Sequence, residues 1–88
     1  MEAVWDEGFK KCYRKRIRQN AQLKKKFWKK MGFFLSDPFM PPLRTHKLSG
    51  KLAGQWAFSV DNNWRVIFEF IGEDRVLLID IGTHDEVY

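Results

Sequence analysis

The sequence predicts an α+β fold in which two N-terminal helices pack on a twisted antiparallel sheet, in the order β-α-α-β-β-β-β. Three observations predict it. Apolar residues recur at three- and four-residue steps in the first half of the chain, which is typical of amphipathic helices. After Pro42 they alternate, as in strands. The stretch "SDPFMPP" between the two halves disfavours helix. With 88 residues, we expect a single domain spanning 1–88.

The stretch "AVW" predicts a short opening strand, and two basic helices follow it. The first helix carries an apolar stripe that ends before Asn20 in "RQNAQ". The second helix ends before Pro38. The stripe residues of the first helix are Phe9, Cys12, Tyr13 and Ile17, and those of the second are Leu23, Phe27, Met31, Phe34 and Leu35.

Four strands are predicted beyond Pro42, within "LRTHKL", "GQWAFSV", "WRVIFEF" and "VLLIDIG". The segments "SGK", "DNN" and "IGEDR" have turn composition. In the third strand Trp64, Val66 and Phe68 face one side, and Arg65 faces the other. The large apolar side would cover the helices, which leaves the face bearing Arg65 free to carry a site.

Positive charge is concentrated in the helices. The net charge is +5, yet the stretch from Asp6 to Met31 holds 11 of the 16 Lys and Arg residues and only two acids. This asymmetry indicates a polyanionic partner or an acidic protein partner, or else a solvated helical face.

Several classes of protein are disfavoured by composition. Cys12 is the only cysteine, so no intrachain disulfide is possible, and a reducing, cytoplasmic setting is expected. No apolar run is long enough for a membrane span, and the acidic start is unlike a signal peptide. Two histidines and one cysteine, widely separated, lack the spacing of a zinc site, and no phosphate-binding loop appears. We expect no metal and no cofactor.

RNA cleavage is a chemistry that needs few protein groups, because the RNA supplies its own 2′-hydroxyl nucleophile. A proton acceptor, a proton donor and a cation for the phosphate suffice. His46, His84, Arg65 and Tyr88 are the available set. The alternatives are surface histidines, an Arg65–Glu69 pair, a frayed terminal Tyr88 and tryptophans that serve only for packing.

The segments "DPFMPPLRTHKLSGKLAGQWAFSVDNNWRVIFEF" and "LLIDIGTHDEVY" resemble the RelE/ParE superfamily of type II toxin–antitoxin toxins, and most of all its YafQ-like mRNA interferases. The resemblance implies a RelE/ParE-like fold and a ribosome-dependent, metal-independent mRNA endoribonuclease that inhibits translation. It also implies a cognate antitoxin, with the toxin a monomer when free and a hetero-oligomer when bound. A non-catalytic ParE-like toxin and a degenerate antitoxin-binding relative remain alternatives.

The resemblance assigns roles to particular residues. His46 matches the histidine of "H-x-L-x-G", His84 that of "G-T-H", and Tyr88 the closing aromatic residue. Trp64 matches the tryptophan before the central strand, and Arg65 matches the catalytic-site arginine of the RelE branch. Catalysis is therefore expected from His46, His84, Arg65 and Tyr88.

The sequence also departs from the family pattern. Ser59 stands where YafQ-like toxins have a further histidine, so the general base is left open. Asn63 stands in place of an acid, with Asp61 as a substitute. Trp56 and Phe58 replace the lysines of the RelE branch, which leaves Lys47 and Lys51 as nearby basic residues. For contact with RNA or the ribosome we expect Lys47, Lys51, Trp64 and Asp61, together with Lys25, Lys26, Lys29 and Lys30 of the second helix.

Overall fold

The computed structural model describes residues 1–88 and shows a five-stranded sheet with the N-terminal helices packed on one face. The strands are β1 (Glu2–Trp5), β2 (His46–Lys47), β3 (Trp56–Ser59), β4 (Trp64–Gly72) and β5 (Arg75–Thr83). The α-helices are α1 (Glu7–Cys12), α2 (Ala21–Ser36) and α3 (His84–Val87). A π-helical segment (Tyr13–Ile17) and two 3-10 turns (Pro41–Leu43 and Gly50–Leu52) complete the structure.

The strands lie in the order β1-β5-β4-β3-β2, which makes β2 to β5 a consecutive antiparallel meander. The predicted α+β fold is confirmed. One detail differs, because β1 pairs in parallel with β5, from Glu2↔Arg75 to Trp5↔Leu78. The sheet is therefore mixed, with its one parallel pair at the edge. A parallel pair needs a long connection, and here the helices and the strands β2 to β4 lie between the two paired strands in the chain.

The two predicted helices form as expected, but the first changes its winding. Asp6 caps α1 by accepting the N–H of Gly8, and Asn20 caps α2 by accepting that of Leu23. Between them the chain widens into the π-helical segment, where the Arg18 N–H donates to the carbonyl of Tyr13. The helix α2 ends at Ser36, two residues before Pro38.

The hydrophobic core lies between the helices and the sheet. It joins Phe27 and Phe34 of α2 to strand residues such as Phe58, whose ring stacks on that of Phe34 with centroids 4.6 Å apart. The stripe on α2 is buried as predicted except for Leu35, which is 37% exposed. No helix in the structure has the length and apolar character needed to cross a membrane.

Candidate functional site

The sheet register places His46 and Arg65 on the face opposite the core. His46 pairs with Ala57 in β3, and Arg65 pairs with Ser59 in β3 and Gly82 in β5. Ala57 and Ser59 are two residues apart on one strand, so their side chains and those of their partners, His46 and Arg65, project to the same side of the sheet. Small residues occupy this part of the sheet, which leaves room above it for the longer side chains of His46 and Arg65.

Tyr88 lies among the other three predicted catalytic residues. Its hydroxyl is 3.3 Å from Nε2 of His46. Its ring makes an edge contact with the imidazole of His84, with centroids 4.5 Å apart, and the corresponding separation from His46 is 6.0 Å. Residues from three separate parts of the chain, His46, Arg65 and the pair His84 and Tyr88, are thus brought to one surface.

The hydrogen bonds of His46 define its neutral tautomer. Its Nδ1 lies 3.0 Å from the carbonyl oxygen of Arg44, which can only accept, so Nδ1 carries the hydrogen. Nε2 is then left with a free lone pair, and Tyr88 donates its hydroxyl proton to it. Arg44 itself has a left-handed backbone, with φ 51°, which a non-glycine residue seldom adopts. The neutral His46 therefore presents a proton acceptor to the site.

The guanidinium of Arg65 is held by the turn that precedes its strand. Its Nη1 donates to the carbonyls of Asp61, at 2.6 Å, and Trp64, at 3.1 Å. The carboxylate of Asp61 in turn accepts the N–H groups of Asn63 and Trp64, at 2.9 and 2.8 Å. These two hydrogen bonds to the Asp61 side chain fix the shape of the turn, in which no residue has a positive φ. Asp61 thus positions the two carbonyls that orient Arg65.

The charge states of Asp61 and Tyr88 follow from these contacts. Burial acts to raise the pKa of Asp61. The hydrogen bonds from the N–H groups of Trp64 and Asn63, together with the nearby charge of Lys26, outweigh burial, so the pKa is lowered. Burial raises the pKa of the Tyr88 hydroxyl, and Arg65 opposes this only in part. Tyr88 therefore keeps its proton at neutral pH and can donate it in a hydrogen bond.

The short helix α3, which the sequence did not predict, carries the C-terminal part of the site. His84 is its first residue and Tyr88 follows its last. The His84 N–H donates to the carbonyl of Asn63, which ties α3 to the turn below Arg65. The signal for this helix was present as Thr83 and Glu86, which form a capping box.

Two residues predicted to contact RNA support Arg65 through their backbone carbonyls, whereas their side chains point away from the cluster. Trp64 packs against the core, and Asp61 faces α2, where it pairs with Lys26 at 3.6 Å. Lys47 lies over the ring of Trp56 on the core-facing side of the sheet, with Nζ 5.5 Å from the ring centroid. Lys51 is exposed in a 3-10 turn. Ser59 is buried beneath the site, with no more than 6% of its surface exposed.

Of the five lysines of α2, the four predicted to contact RNA or the ribosome fall into two pairs, and Lys24 is exposed beside them. Lys25 and Lys29 are exposed and make no side-chain hydrogen bond or ion pair. Lys26 contacts Asp61, and Lys30 donates to the carbonyl of Val60 at 3.2 Å. Burial lowers the pKa of Lys30, and the neighbouring Lys29 lowers it further. Lys26, Lys29 and Lys30 line a cavity of about 270 Å³ beside the turn that holds Arg65.

The cluster of His46, Arg65, His84 and Tyr88 is an open surface. None of the three cavities in the molecule is lined by any of these four residues. Both histidines are exposed, and Tyr88 is 43% exposed. No three His, Cys, Asp or Glu side chains lie close enough together to hold a metal ion. Such a surface offers proton-transfer groups and a cation to an extended substrate.

Comparison with known proteins identifies the class. The chain matches over residues 1–88 the family described as bacterial toxin of type II toxin–antitoxin system, YafQ. No curated protein sequence matches it significantly. Among solved structures it resembles a YoeB/ParE toxin from Agrobacterium tumefaciens, with a TM-score of 0.79 and 22% identity over 96% of this chain and 99% of that one.

Two further solved structures contain YafQ from E. coli. YafQ of strain BL21(DE3) has a TM-score of 0.76 and 16% identity, covering 99% of this chain and 97% of that one. The DinJ–YafQ complex has a TM-score of 0.68 and 18% identity, again covering 99% of this chain and 97% of that one. At these identities the likeness shows the fold. The match to the family over the whole chain shows more, namely that the chain belongs to the YafQ family of type II toxin–antitoxin toxins.

Proposed function

We propose that this toxin is a ribosome-dependent mRNA endoribonuclease that inhibits translation. The observation that carries the proposal is the contact between Nε2 of His46 and the hydroxyl of Tyr88, with Arg65 and His84 beside it. These groups provide a proton acceptor, a neutral donor, a cation and a second imidazole on one open surface. A toxin that acts only by binding has no need of two imidazoles around a tyrosine.

The proposed reaction begins at the 2′-hydroxyl of the RNA. His46 Nε2 takes its proton as the 2′-oxygen attacks phosphorus, and Tyr88 transfers its hydrogen bond from Nε2 to a phosphate oxygen. The O2′–P bond forms and the P–O5′ bond breaks, which leaves a cyclic phosphate. His84, in its protonated form, gives a proton to the departing 5′-oxygen. His46 thereby supplies the general base that Ser59, in place of the family histidine, cannot.

Arg65 stabilises the transition state in this reaction. Negative charge grows on the phosphate oxygens as the 2′-oxygen adds, and a fixed cation lowers the energy of that state without having to reorganise. The carbonyls of Asp61 and Trp64 hold the guanidinium in place before RNA arrives. Arg65 also lies close enough to Tyr88 to act against the rise in the pKa of its hydroxyl.

The ribosome is proposed to position the message. The site is open, so it lacks walls that would align a flexible single strand, and alignment supplies a large part of a rate enhancement. The basic helices offer sequence-independent attraction to RNA phosphates. Lys25 and Lys29 are exposed and unpaired, so of the four lysines of α2 predicted to contact RNA they are the two best suited to that contact.

A cognate antitoxin is the second proposed partner. The DinJ–YafQ structure is of a toxin of this family in complex with another protein. The surface between Asp6 and Met31 has a balance of 11 basic residues against two acids, which favours an acidic partner segment. We propose that the free toxin is a monomer and that the antitoxin forms a hetero-oligomer with it.

The experiment that tests the function is induced expression of wild type and His84→Ala, with mRNA 5′ ends mapped across the transcriptome. Wild type should arrest growth and create new 5′ ends within translated reading frames. His84→Ala should do neither, while it stays folded and is still captured by the antitoxin. Glu73→Ala, an exposed change in the β4–β5 turn, is the matched control and should behave as wild type.

The outcomes separate the alternatives. Growth arrest without new 5′ ends, unchanged in His84→Ala, would contradict cleavage and indicate a ParE-like toxin that acts by binding. Absence of growth arrest in wild type, with antitoxin binding retained, would indicate a degenerate relative.

A further inference from the structure

The outer edge of β5 has a part that no strand covers. The strand β1 pairs only with Arg75 to Leu78, so the edge from Asp80 to Thr83 is left to other elements. The π-helical segment and α3 meet there and enclose a cavity of about 340 Å³ with Asp80. The N-terminal helical layer therefore touches the element that carries His84 and Tyr88.

One ion pair joins these two elements directly. Nη1 of Arg16 lies 2.6 Å from Oε2 of Glu86. The other carboxylate oxygen of Glu86, Oε1, accepts the backbone N–H and the hydroxyl of Thr83, both at 2.9 Å. Glu86 uses one oxygen to cap α3 and the other to bind Arg16, so a single carboxylate links the helix start to the π-helical segment.

The helix α3 requires such outside support. It is only four residues long, and an isolated helix of that length is unstable in water because nucleation is costly. Its other contacts are the His84 N–H on the carbonyl of Asn63 and a close approach to β5. A Cβ on Gly82 would lie 2.9 Å from Cγ1 of Val87, so the helix sits directly on that glycine.

The winding of the first helix is suited to presenting Arg16. Ile17 is fully buried, whereas the neighbouring Arg16 is partly exposed at the edge of β5. The π-helical turn from Tyr13 to Ile17 adds one residue to the helical repeat, and such turns are frequent at functional positions. The ion pair also accounts for charge states, because donation from Thr83 and from Arg16 lowers the pKa of Glu86 to about 2.

We propose that Arg16 is a positioning residue, which holds α3 through Glu86 so that His84 and Tyr88 stay aligned with His46 and Arg65. The inference rests on the proposed mRNA cleavage. Arg16 touches no reacting atom, since its guanidinium is engaged by Glu86 on the far side of α3. Its effect is on the placement of two proton-handling groups, and small misplacements of such groups cost large factors in rate.

The test uses Arg16→Gln, Arg16→Lys and the double variant Arg16→Gln/Glu86→Gln. Arg18→Gln is the matched control, because it removes the same charge two residues away from an exposed side chain without an ion pair. Two quantities are measured: the single-turnover cleavage rate of ribosome-bound mRNA at saturating toxin, and the nuclear Overhauser contacts between the rings of His84 and Tyr88.

At saturating toxin, Arg16→Gln should lower the cleavage rate by about tenfold to a hundredfold and weaken the ring contacts. Arg16→Lys should restore part of the cleavage rate and part of the ring contacts, because lysine keeps the positive charge but lacks the forked guanidinium. Adding Glu86→Gln should cost little more, since the ion pair is already broken and Gln keeps an oxygen that can accept from Thr83. Arg18→Gln should match wild type in rate and ring contacts.

Three results would overturn the proposal. One is Arg16→Gln with ring contacts and rate equal to those of Arg18→Gln. Another is a lower cleavage rate in Arg16→Gln with intact ring contacts, which would give Arg16 a different role. The third is unfolding of both Arg16 variants under assay conditions, which would make Arg16 a folding residue. If wild type itself cleaves nothing, the proposed function fails, and the ring contacts still decide whether Arg16 positions α3.

Discussion

Arg65 is oriented by its own chain before any substrate is bound. Its two carbonyl acceptors belong to the turn immediately before β4, so the guanidinium loses little freedom when it meets a phosphate. A positioned donor of this kind contributes about 2.7 to 4 kcal/mol to transition-state stabilisation. Arg65→Ala should therefore lower the single-turnover cleavage rate by about a hundredfold or more. Arg65→Lys should recover only part of it, and rates within threefold of wild type in both variants would exclude the role.

Asp61 gives a second prediction, which concerns the support of Arg65. Asp61→Asn retains a side-chain oxygen that can accept the N–H groups of Asn63 and Trp64, whereas Asp61→Ala retains none. The single-turnover cleavage rate should fall clearly in the alanine variant, because the turn that holds Arg65 loses its support, and only slightly in the asparagine variant. Equal losses in both would show instead that the negative charge facing Lys26 matters more than the shape of the turn.

The contrast between Arg65 and Asp61 shows what could be predicted for single residues. Alternation along "WRVIFEF" was enough to place Arg65 on the face away from the core. It said nothing of where Tyr88 or His46 would lie, because those positions depend on long-range register and on an unpredicted helix. The resemblance placed Asp61 and Trp64 in contact with RNA, yet in the structure their side chains face α2 and the core.

Periodicity predicts elements well where many side chains repeat, and poorly where few do. The sixteen residues of α2 form as expected, and the capping residue Asn20 marks the break seen in the pattern. The helix α3 is a single turn, so no period can be read from it. Phe9 of α1 and Ile17 of the π-helical segment are both buried, as they would be in an unbroken helix, and spacing alone therefore did not reveal the change in winding.

The two lysine pairs of α2 provide a matched test at the level of this helix. Lys25→Gln/Lys29→Gln removes two exposed charges and should weaken ribosome binding and reduce its salt dependence, without a change in cleavage once bound. Lys26→Gln/Lys30→Gln removes the same charge but also the contacts with Asp61 and Val60. This second variant should weaken ribosome binding and also lower the cleavage rate at saturating toxin. Identical behaviour of the two pairs would contradict this division.

The cap of α3 predicts a pH dependence of stability. The pKa of Glu86 is about 2 in the folded chain, against an ordinary value of 4.5. Its stabilising effect is therefore complete above pH 4.5 and is lost as the pH falls towards 2. The difference in melting temperature between wild type and Glu86→Gln should be constant from neutral pH down to about 4.5 and shrink below it. A difference that grows on acidification would show that the contacts of Glu86 are not those described.

At the scale of the whole molecule, charge and site lie on different parts of the fold. The helices that carry most of the positive charge cover one face of the sheet, and the cluster around Tyr88 occupies the other. Composition alone revealed the charge asymmetry, but the topology decided that the two features are separate. A large RNA-containing partner could then be held by the helices while a strand of message reaches the open site.

This separation leads to the last prediction, which concerns free RNA. The site binds an extended strand only through exposed groups, so purified toxin should cleave naked mRNA far more slowly than mRNA on translating ribosomes. The difference between the two cleavage rates should narrow as salt rises, because salt screens the proposed attraction between the basic helices and ribosomal RNA. Lys25→Gln/Lys29→Gln should lower the cleavage rate on ribosomes at limiting toxin and leave the slow reaction at saturating naked RNA nearly unchanged. Equal rates of wild type on both substrates would show that the toxin aligns RNA unaided, and would return the basic helices to a role in binding the antitoxin.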